Sequence, residues 1–172
     1  RSFFGTSQLY SEQTQLKKRN HFTIYNALPA GISISRHAKS QDRPLTIGVV
    51  SRLESIKGMD LVVPAFTLVK ARHPEMQLLI VGGGSLRKQM EEQVHKARLE
   101  EAVEFAGRQP QEKLSSYYDR IDILLMPSRS EGFGLTAIEG MARGCVVVAA
   151  RTGGLPEVVR MEKWACFTNR NK

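Results

Sequence analysis

The sequence predicts an α/β fold in which helices cover a Rossmann-like, doubly wound parallel sheet. Between residues 45 and 150, five short apolar runs alternate with segments of helical periodicity. Parallel strands need helical crossovers of this kind, and continuous apolar runs are typical of strands buried on both faces. We therefore expect each apolar run to be a strand and each intervening segment to contain a helix.

The bounds of these elements follow from the apolar runs and from residues that start or end helices. Strands are expected at residues 45–50, 76–81, 103–106, 121–126 and 145–150. Helices are expected between Asp60 and His73, from Ser85 to about Arg98, from Pro110 onward, and from about Gly134 to Arg143. The predicted core positions are Leu61, Ala65 and Leu68 in the first helix and Leu135, Ile138 and Ala142 in the last.

Residues 1–44 lack this regular pattern. The polar, basic segment 1–20 is interpreted as a piece of helix, and Phe22–Tyr25 as one strand. Residues 31–44 mix serine, charge, glycine and proline without a period, which is typical of a linker. Because the chain starts with Arg1 and Ser2, which fit neither an initiator methionine nor a signal peptide, we expect it to be a fragment.

The positive charge is unevenly distributed. The 172 residues carry a formal net charge of +8, and the sequence pI is about 9.8. The first 44 residues hold seven basic and two acidic residues, whereas the remainder holds 18 and 15. Nucleic acid is therefore not expected as a partner, because its binding needs a concentrated basic surface.

Several other classes of function are also disfavoured. No apolar run reaches the roughly 18 residues of a membrane span. Cys145 and Cys166 lack the spacing of a disulfide framework or a zinc site, so a reducing, cytoplasmic location is expected. Because the four histidines also lie in separate segments, no metal site is predicted. The GxGxxG, GxxxxGK[ST] and GxSxG patterns are absent.

In a doubly wound sheet, ligands bind beyond the carboxyl ends of the strands. The loops that follow the first four predicted strands are therefore the place to look for a site. Each of them carries glycine, a cation or a carboxylate, and they are Ser51–Gly58, Gly82–Ser85, Gly107–Pro110 and Pro127–Gly134.

The first of these loops, SRLESIKG, holds two cations. Arg52 and Lys57 lie in one turn before a predicted helix, and Gly58 leads into that helix. Arginine can bind two phosphate oxygens at once and lysine adds a point charge, so the pair suits a diphosphate. The alternative is that both cations are solvated surface residues, with Glu54 between them.

The fourth loop and the predicted helix after it hold two carboxylates, and the loop holds a pair of glycines. Glu131 precedes Gly132-Phe133-Gly134 and a predicted helix start, and Glu139 lies about one turn into that helix. The glycines would let a ligand approach backbone N–H groups, while carboxylates accept hydrogen bonds from sugar hydroxyls. As alternatives, Glu131 could interact with the helix dipole and Glu139 could be an exposed helix residue.

Five segments together carry a family resemblance: SRLESIKG, IVGGGSL, VEFAGRQP, PSRSEGFGLTAIEGMARG and RTGGLPEVV. Their most specific feature is the pair Glu131 and Glu139, separated by seven residues, with Gly-Phe-Gly after the first. Over about residues 45–159 the chain resembles the nucleotide-sugar-binding half of retaining glycosyltransferases of GT-B architecture. That family includes sucrose synthases, bacterial mannosyltransferases and glycan-assembly enzymes.

The resemblance implies roles for the residues that match its motifs. Arg52 and Lys57 would hold the diphosphate of a UDP-, GDP- or ADP-sugar donor and stabilise the leaving charge, with Glu131 as the third catalytic residue, on the donor sugar. Glu139 would bind the ribose hydroxyls. The remaining donor contacts would come from the loop glycine Gly132, from the backbone amides of Phe133, Gly134 and Leu135, and from Gly107 and Arg108 beside the base. In this family no metal or other cofactor is required.

The resemblance also implies a domain organisation. FTIYNALPAG resembles the end of the family's first domain, so residues 1–30 would be a remnant of the acceptor-binding domain, 31–44 the interdomain linker and 45–172 the donor domain. RMEKWACFTNRNK departs from the family pattern, so the donor domain is expected to be truncated there. The rest of the acceptor domain would then be a partner of this chain. Many family members act on lipid-linked acceptors in glycan, glycolipid or polysaccharide biosynthesis. The basic run Lys17-Lys18-Arg19 would therefore suit peripheral contact with the inner membrane face.

Two other interpretations stay open at this point. One is a noncatalytic nucleotide-sugar-binding module, such as one half of a pseudoenzyme. The other is a different enzyme on a Rossmann-like sheet, for example a dehydrogenase, against which the absence of a dinucleotide fingerprint counts. As a fragment, the chain itself would bind a donor weakly and transfer little sugar.

Overall fold

The computed structural model describes residues 3–5, 21–24, 26–28, 34, 42–159 and 165–168. Within these residues the strands are β1 (Phe3–Gly5), β2 (His21–Thr23), β3 (Thr46–Val50), β4 (Gln77–Val81), β5 (Val103–Gly107), β6 (Ile123–Met126), β7 (Val146–Ala150) and β8 (Ala165–Thr168). The α-helices are α1 (Val62–Arg72), α2 (Arg87–Ala97), α3 (Leu114–Arg120), α4 (Leu135–Ala142) and α5 (Leu155–Val158). Short 3-10 turns cover Ser55–Lys57, Met59–Leu61, Glu100–Ala102 and Gln111–Lys113.

The described strands β3 to β8 form one parallel sheet in the order β5-β4-β3-β6-β7-β8. The chain builds outward from β3 to β5 and then returns to the other side of β3 to add β6, β7 and β8. This reversal confirms the predicted doubly wound sheet. It also places the topological switch point between β3 and β6, where the loops after these two strands diverge and leave a crevice.

Apolar side chains cover both faces of the sheet. Along β4, Leu78 and Ile80 pack on the side of α1 and α2, whereas Leu79 and Val81 pack on the side of α3, α4 and α5. Alternate residues of a strand point to opposite faces, so a strand covered on both sides must be apolar throughout. Each buried side chain of this kind contributes about 1.5–3 kcal/mol, which explains why the apolar runs locate the strands so well.

The predicted buried face of α1 is wrong, whereas that of α4 is wrong at Leu135 but right at Ala142, which packs against the core. In α1 the buried residues are Val62, Val63 and Phe66, whereas Leu68 is 72% exposed. Phe66 and Leu68 differ by about 200° around a helix, so only one of them can face the sheet. In α4, Ala137 and Gly140 are buried, and Leu135, predicted as a core residue, is 37% exposed.

The chain ends differ from the prediction where the structure describes them. Phe3–Gly5 is a strand that pairs in parallel with His21–Thr23, so the helix expected over residues 1–20 is wrong at that point. Residues 6–20, Tyr25, and most of the predicted linker lie outside the described residues. Residues 165–168 add a sixth strand beside β7 that the sequence pattern did not predict, and the other residues after 159 lie outside the described part.

The glycine turn after β4 packs directly on the loop after β3. The N–H of Leu53 donates to the carbonyl oxygen of Gly83 at 3.0 Å, and the N–H of Leu86 donates to that of Leu53 at 2.9 Å. A Cβ at Gly84 would lie 2.5 Å from the carbonyl oxygen of Leu53, whereas a Cβ at Gly83 would meet only the Cβ of Arg108, at 3.9 Å. The close approach of two backbones therefore requires glycine at position 84.

We expect Gly84→Ala to lower the free energy of unfolding by about 1–3 kcal/mol, because the new methyl group overlaps backbone atoms that have no alternative rotamer. Gly83→Ala is the matched control and should change it by less than about 0.5 kcal/mol. Urea unfolding monitored by circular dichroism measures both. Equal effects of the two substitutions would contradict this explanation of the glycine turn.

Candidate functional site

Two adjoining cavities open at the switch point of the sheet. The larger has a volume of about 380 Å³ and the smaller about 250 Å³. The residues that line both cavities are Val50, Ser51, Arg52 and Thr136. The cleft therefore has two compartments, which meet where β3 ends and α4 begins.

An ion pair joins opposite sides of the larger cavity. The ammonium Nζ of Lys57 donates a hydrogen bond to Oε2 of Glu131 at 2.8 Å, and the hydroxyl of Ser128 donates to the same oxygen at 3.3 Å. The side chains of Lys57 and Glu131 are only 19% and 15% exposed. Because burial makes an unpaired charge costly, each of these two groups stabilises the other in the absence of a ligand.

The N-terminus of α4 opens onto the same cavity. Phe133, Gly134, Leu135 and Thr136 all line it, and the first N–H groups of a helix lack intrahelical acceptors and carry partial positive charge. Gly134 has a φ of 92° and a Cβ there would lie 2.6 Å from Leu155 Cδ2. Glycine at this position thus lets the chain turn sharply from Glu131 into the helix.

Glu139 lines the smaller cavity and is almost fully buried, at 5% exposure, so the interpretation as an exposed helix residue is wrong. The hydroxyl of Tyr118 donates to Glu139 Oε2 at 2.6 Å, and the amide nitrogen of Gln111 donates to Oε1 at 3.0 Å. Burial, and after it the hydrogen bond to Glu139, raise the pKa of Tyr118 above its ordinary value. The tyrosine thus remains a donor that fixes the carboxylate.

Arg52 and Arg108 both line the smaller cavity, and Arg52 also lines the larger one. The side chain of Arg52 is 63% exposed, and its Nη1 donates to Oε1 of Glu54 at 3.2 Å. Gly107 and Gly132 do not line a cavity themselves, but each directly precedes a residue that does: Arg108 in the smaller cavity and Phe133 in the larger. The structure therefore brings most of the predicted residues into one cleft.

Sequence reasoning missed several residues of the cleft. These are Asn26, Ser128 and Thr136 in the larger cavity and Gln109, Gln111 and Tyr118 in the smaller. Ser128 and Thr136 lie within the fourth loop and the helix after it, so their position in the sequence is a signal from which they could have been predicted. Gln111 and Tyr118 contact Glu139 from 28 and 21 residues away, and a periodic pattern does not predict such a contact.

Within the described part of the chain, no three His, Cys, Asp or Glu side chains are grouped to hold a metal ion. None of the helices described there is both long enough and apolar enough to cross a membrane.

Comparison with known proteins identifies a family whose match includes the whole six-stranded sheet. The family model described as "Glycosyl transferases group 1" matches residues 33–172. A D-inositol 3-phosphate glycosyltransferase from Corynebacterium jeikeium is 32% identical over 153 residues, which are 77% of this chain and 36% of that protein. The chain spans about a third of the length of the curated relatives that it matches.

Solved structures show the same fold. Sucrose-phosphate synthase from Thermosynechococcus elongatus superimposes with a TM-score of 0.78 and 27% identity, over 99% of this chain and 46% of that one. HepE from Anabaena, in complex with UDP and glucose, superimposes with a TM-score of 0.78 and 22% identity, over 96% of this chain and 48% of that one. The sheet and its helices thus match one half of a GT-B structure.

The contact between Tyr118 and Glu139 predicts a pH-dependent contribution to stability. Tyr118→Phe should lower the free energy of unfolding by about 1–3 kcal/mol at neutral pH, because the buried carboxylate loses a donor. The pKa of Tyr118 is raised from 10.0, so the stability that the protonated hydroxyl confers is complete below pH 10.0 and is lost as the pH rises above it. The difference between wild type and variant should therefore narrow above about pH 10.

Chemical denaturation at a series of pH values measures this difference. Tyr117→Phe is the matched control, because the neighbouring Tyr117 is half-buried and its replacement leaves the contact with Glu139 intact. A Tyr118→Phe effect that stays constant from about pH 8 to about pH 11 would contradict the assignment.

Proposed function

The chain belongs to the glycosyl transferases group 1 family, and from this premise we propose that it provides the donor-binding half of a retaining glycosyltransferase. In this proposal the cleft binds a nucleotide diphosphate-sugar. The nucleoside lies in the smaller cavity, the diphosphate lies over the shared wall, and the sugar lies in the larger cavity. The observation that carries the proposal is that Arg52 lies in the wall shared by two adjoining compartments and that Lys57 lines the larger of them.

The phosphate end of the donor matches the positive groups of the larger cavity. Lys57 supplies an ammonium group, Arg52 an exposed guanidinium, and α4 the partial charge of its N-terminus. When the bond between the sugar and the phosphate breaks, negative charge develops on the departing diphosphate. Fixed positive groups stabilise that charge without rearrangement of solvent, and in the proposal they do so without a metal ion.

The sugar end matches Glu131. In the free chain its Oε2 already accepts hydrogen bonds from Lys57 and Ser128, so the carboxylate is held in place. A donor can replace the Lys57 contact at both of its ends: a phosphate oxygen takes the ammonium group, and a sugar hydroxyl donates to the carboxylate. Binding therefore exchanges an internal ion pair for two contacts with one ligand.

The ribose end matches Glu139. Tyr118 holds Oε2, whereas the Gln111 amide on Oε1 comes from a residue at the mouth of the smaller cavity. We propose that a ribose hydroxyl takes the place of the Gln111 amide. The base then lies toward Arg108 and Gln109, beyond β4 and β5.

Retention follows from transfer on one face of the donor sugar. The bond between the anomeric carbon and the phosphate oxygen breaks, the acceptor oxygen bonds to that carbon on the same face, and the acceptor proton passes to the departing phosphate. The acceptor would come from the other half of the enzyme, for which residues 1–30 and the linker 31–44 are proposed as the connection. The proposal also includes a role in glycan, glycolipid or polysaccharide biosynthesis, in the cytoplasm, with peripheral contact of Lys17, Lys18 and Arg19 with anionic lipid.

Calorimetry with UDP, GDP and ADP tests the diphosphate assignment. We expect at least one of them to bind, and Lys57→Ala and Arg52→Ala to weaken its binding by at least about tenfold, because each removes a charge-assisted contact. Lys96→Ala is the matched control, since Lys96 is exposed in α2, and it should leave the affinity unchanged. Equal affinity in the wild type and in the Lys57 and Arg52 variants would exclude the assignment.

If a donor replaces the contact between Lys57 and Glu131, a substitution at Glu131 should affect the binding of UDP and of UDP-glucose differently. Glu131→Gln keeps the shape of the side chain but removes the partner charge of Lys57, so UDP should bind as tightly as before or more tightly. The preference for UDP-glucose over UDP should fall by about three- to tenfold, because a charged acceptor of the sugar hydroxyls is lost. The same calorimetric titrations give both constants, and an equal loss of affinity for UDP and UDP-glucose would refute the exchange.

A further inference from the structure

A second ion pair lies next to Lys57 and Glu131, outside the cleft. The guanidinium of Arg129 donates from Nη1 to Asp60 Oδ1 at 2.5 Å and from Nη2 to Asp60 Oδ2 at 2.6 Å. Nη1 also donates to the carbonyl oxygen and the hydroxyl of Ser55. Arg129 is two residues before Glu131, and Ser55 is two residues before Lys57, so these contacts join the two loops that carry the cleft's ion pair.

The backbone strengthens the same connection. The N–H of Arg129 donates to the carbonyl oxygen of Ile56 at 2.8 Å, and the carbonyl oxygen of Arg129 accepts a hydrogen bond from the Thr152 hydroxyl at 3.1 Å. Arg129 thus contacts the turn that precedes Lys57, the turn that precedes α1, and the loop after β7. Arg129, in the loop after β6, therefore connects this loop to the loops after β3 and β7 at the carboxyl edge of the sheet.

The charge of Arg129 is directed inward to these loops and not to the cleft. Neither Arg129 nor Asp60 is among the residues that line the two cavities, and their side chains are 33% and 27% exposed. The hydrogen bond to Asp60 raises the pKa of Arg129 above its ordinary value. Arg129 can therefore influence a ligand only through the loops that it contacts.

We propose that Arg129 is a positioning residue for Lys57, an inference that rests on the proposed function. Its forked contact with Asp60 orients the guanidinium so that it also binds Ser55. These contacts hold the Ser55–Lys57 turn against the Glu131 loop, and so fix the distance between the ammonium group and the carboxylate. Lysine cannot reproduce this geometry, since a bidentate contact with a carboxylate needs the planar fork of arginine. The role differs from general stabilisation because it acts on one side chain of the site.

A double-mutant cycle between Arg129 and Lys57, measured by calorimetric binding of UDP, tests the inference. Arg129→Ala should weaken UDP binding by about fivefold in the wild-type chain and cause no further loss in the Lys57→Ala chain, because an effect that acts through the Lys57 side chain is lost when that side chain is removed. Arg143→Ala is the matched control: it removes a forked contact with Asp119 at the far end of α4 and should leave UDP affinity unchanged. Arg129→Lys retains the charge and should behave as Arg129→Ala, and it replaces the alanine variant if that one does not fold.

The reactivity of Lys57 with an amine-acylating reagent, followed by mass spectrometry, tests the positioning without a nucleotide. Lys57 should be acylated at least about threefold faster in the Arg129 variants, because the turn that holds it opens more often, while Lys96 reacts at the wild-type rate. Unchanged Lys57 reactivity, or the same loss of UDP affinity in the Lys57→Ala background, would overturn the inference. Failure of the wild type to bind UDP, GDP or ADP would instead overturn the proposed function, and the reactivity would still decide the role of Arg129.

Discussion

Lys57 and Glu131 are opposite charges that two diverging loops bring to one point at the edge of the sheet, where Nζ and Oε2 lie 2.8 Å apart. The reversal of strand order between β3 and β6 creates that point, because the chain leaves these neighbouring strands in opposite directions. Neither charge would be stable in the largely buried cavity without the other. The larger compartment of the cleft, the turn that ends at Lys57 and the sharp bend at Gly134 all lie next to this pair.

Each of the two carboxylates of the cleft is held by two hydrogen-bond donors of the chain itself. Glu131 is held by Lys57 and Ser128, and Glu139 by Tyr118 and Gln111, so each has donors in place before any ligand arrives. In the proposed complex, one donor of each set, Lys57 for Glu131 and Gln111 for Glu139, gives way to a hydroxyl group of the ligand. A preorganised carboxylate of this kind costs a polyhydroxylated ligand little ordering free energy.

The order of strands and helices, and the loops that carry Lys57 and Glu131, could be predicted because apolar runs and loop composition are local properties of the sequence. The orientation of the helices could not be predicted in the same way: Leu68 and Leu135 are apolar but exposed, since packing and not hydropathy decides which face is buried. The partners of Glu139 and the contact of Arg129 with Asp60, 69 residues away, also depend on the assembled sheet. Strand β8 was not predicted because it lies in the segment RMEKWACFTNRNK, which departs from the family pattern and to which no strand was assigned.

The most direct test of the account is a crystal structure of the chain with a nucleotide diphosphate-sugar that it binds. We predict that Lys57 Nζ leaves Glu131 and lies about 3 Å from a phosphate oxygen, while Glu131 accepts a hydrogen bond from the sugar at a similar distance. The nucleoside should occupy the smaller cavity beside Glu139. A bound nucleotide whose phosphates lie elsewhere, with the Lys57 and Glu131 pair intact, would contradict the central claim.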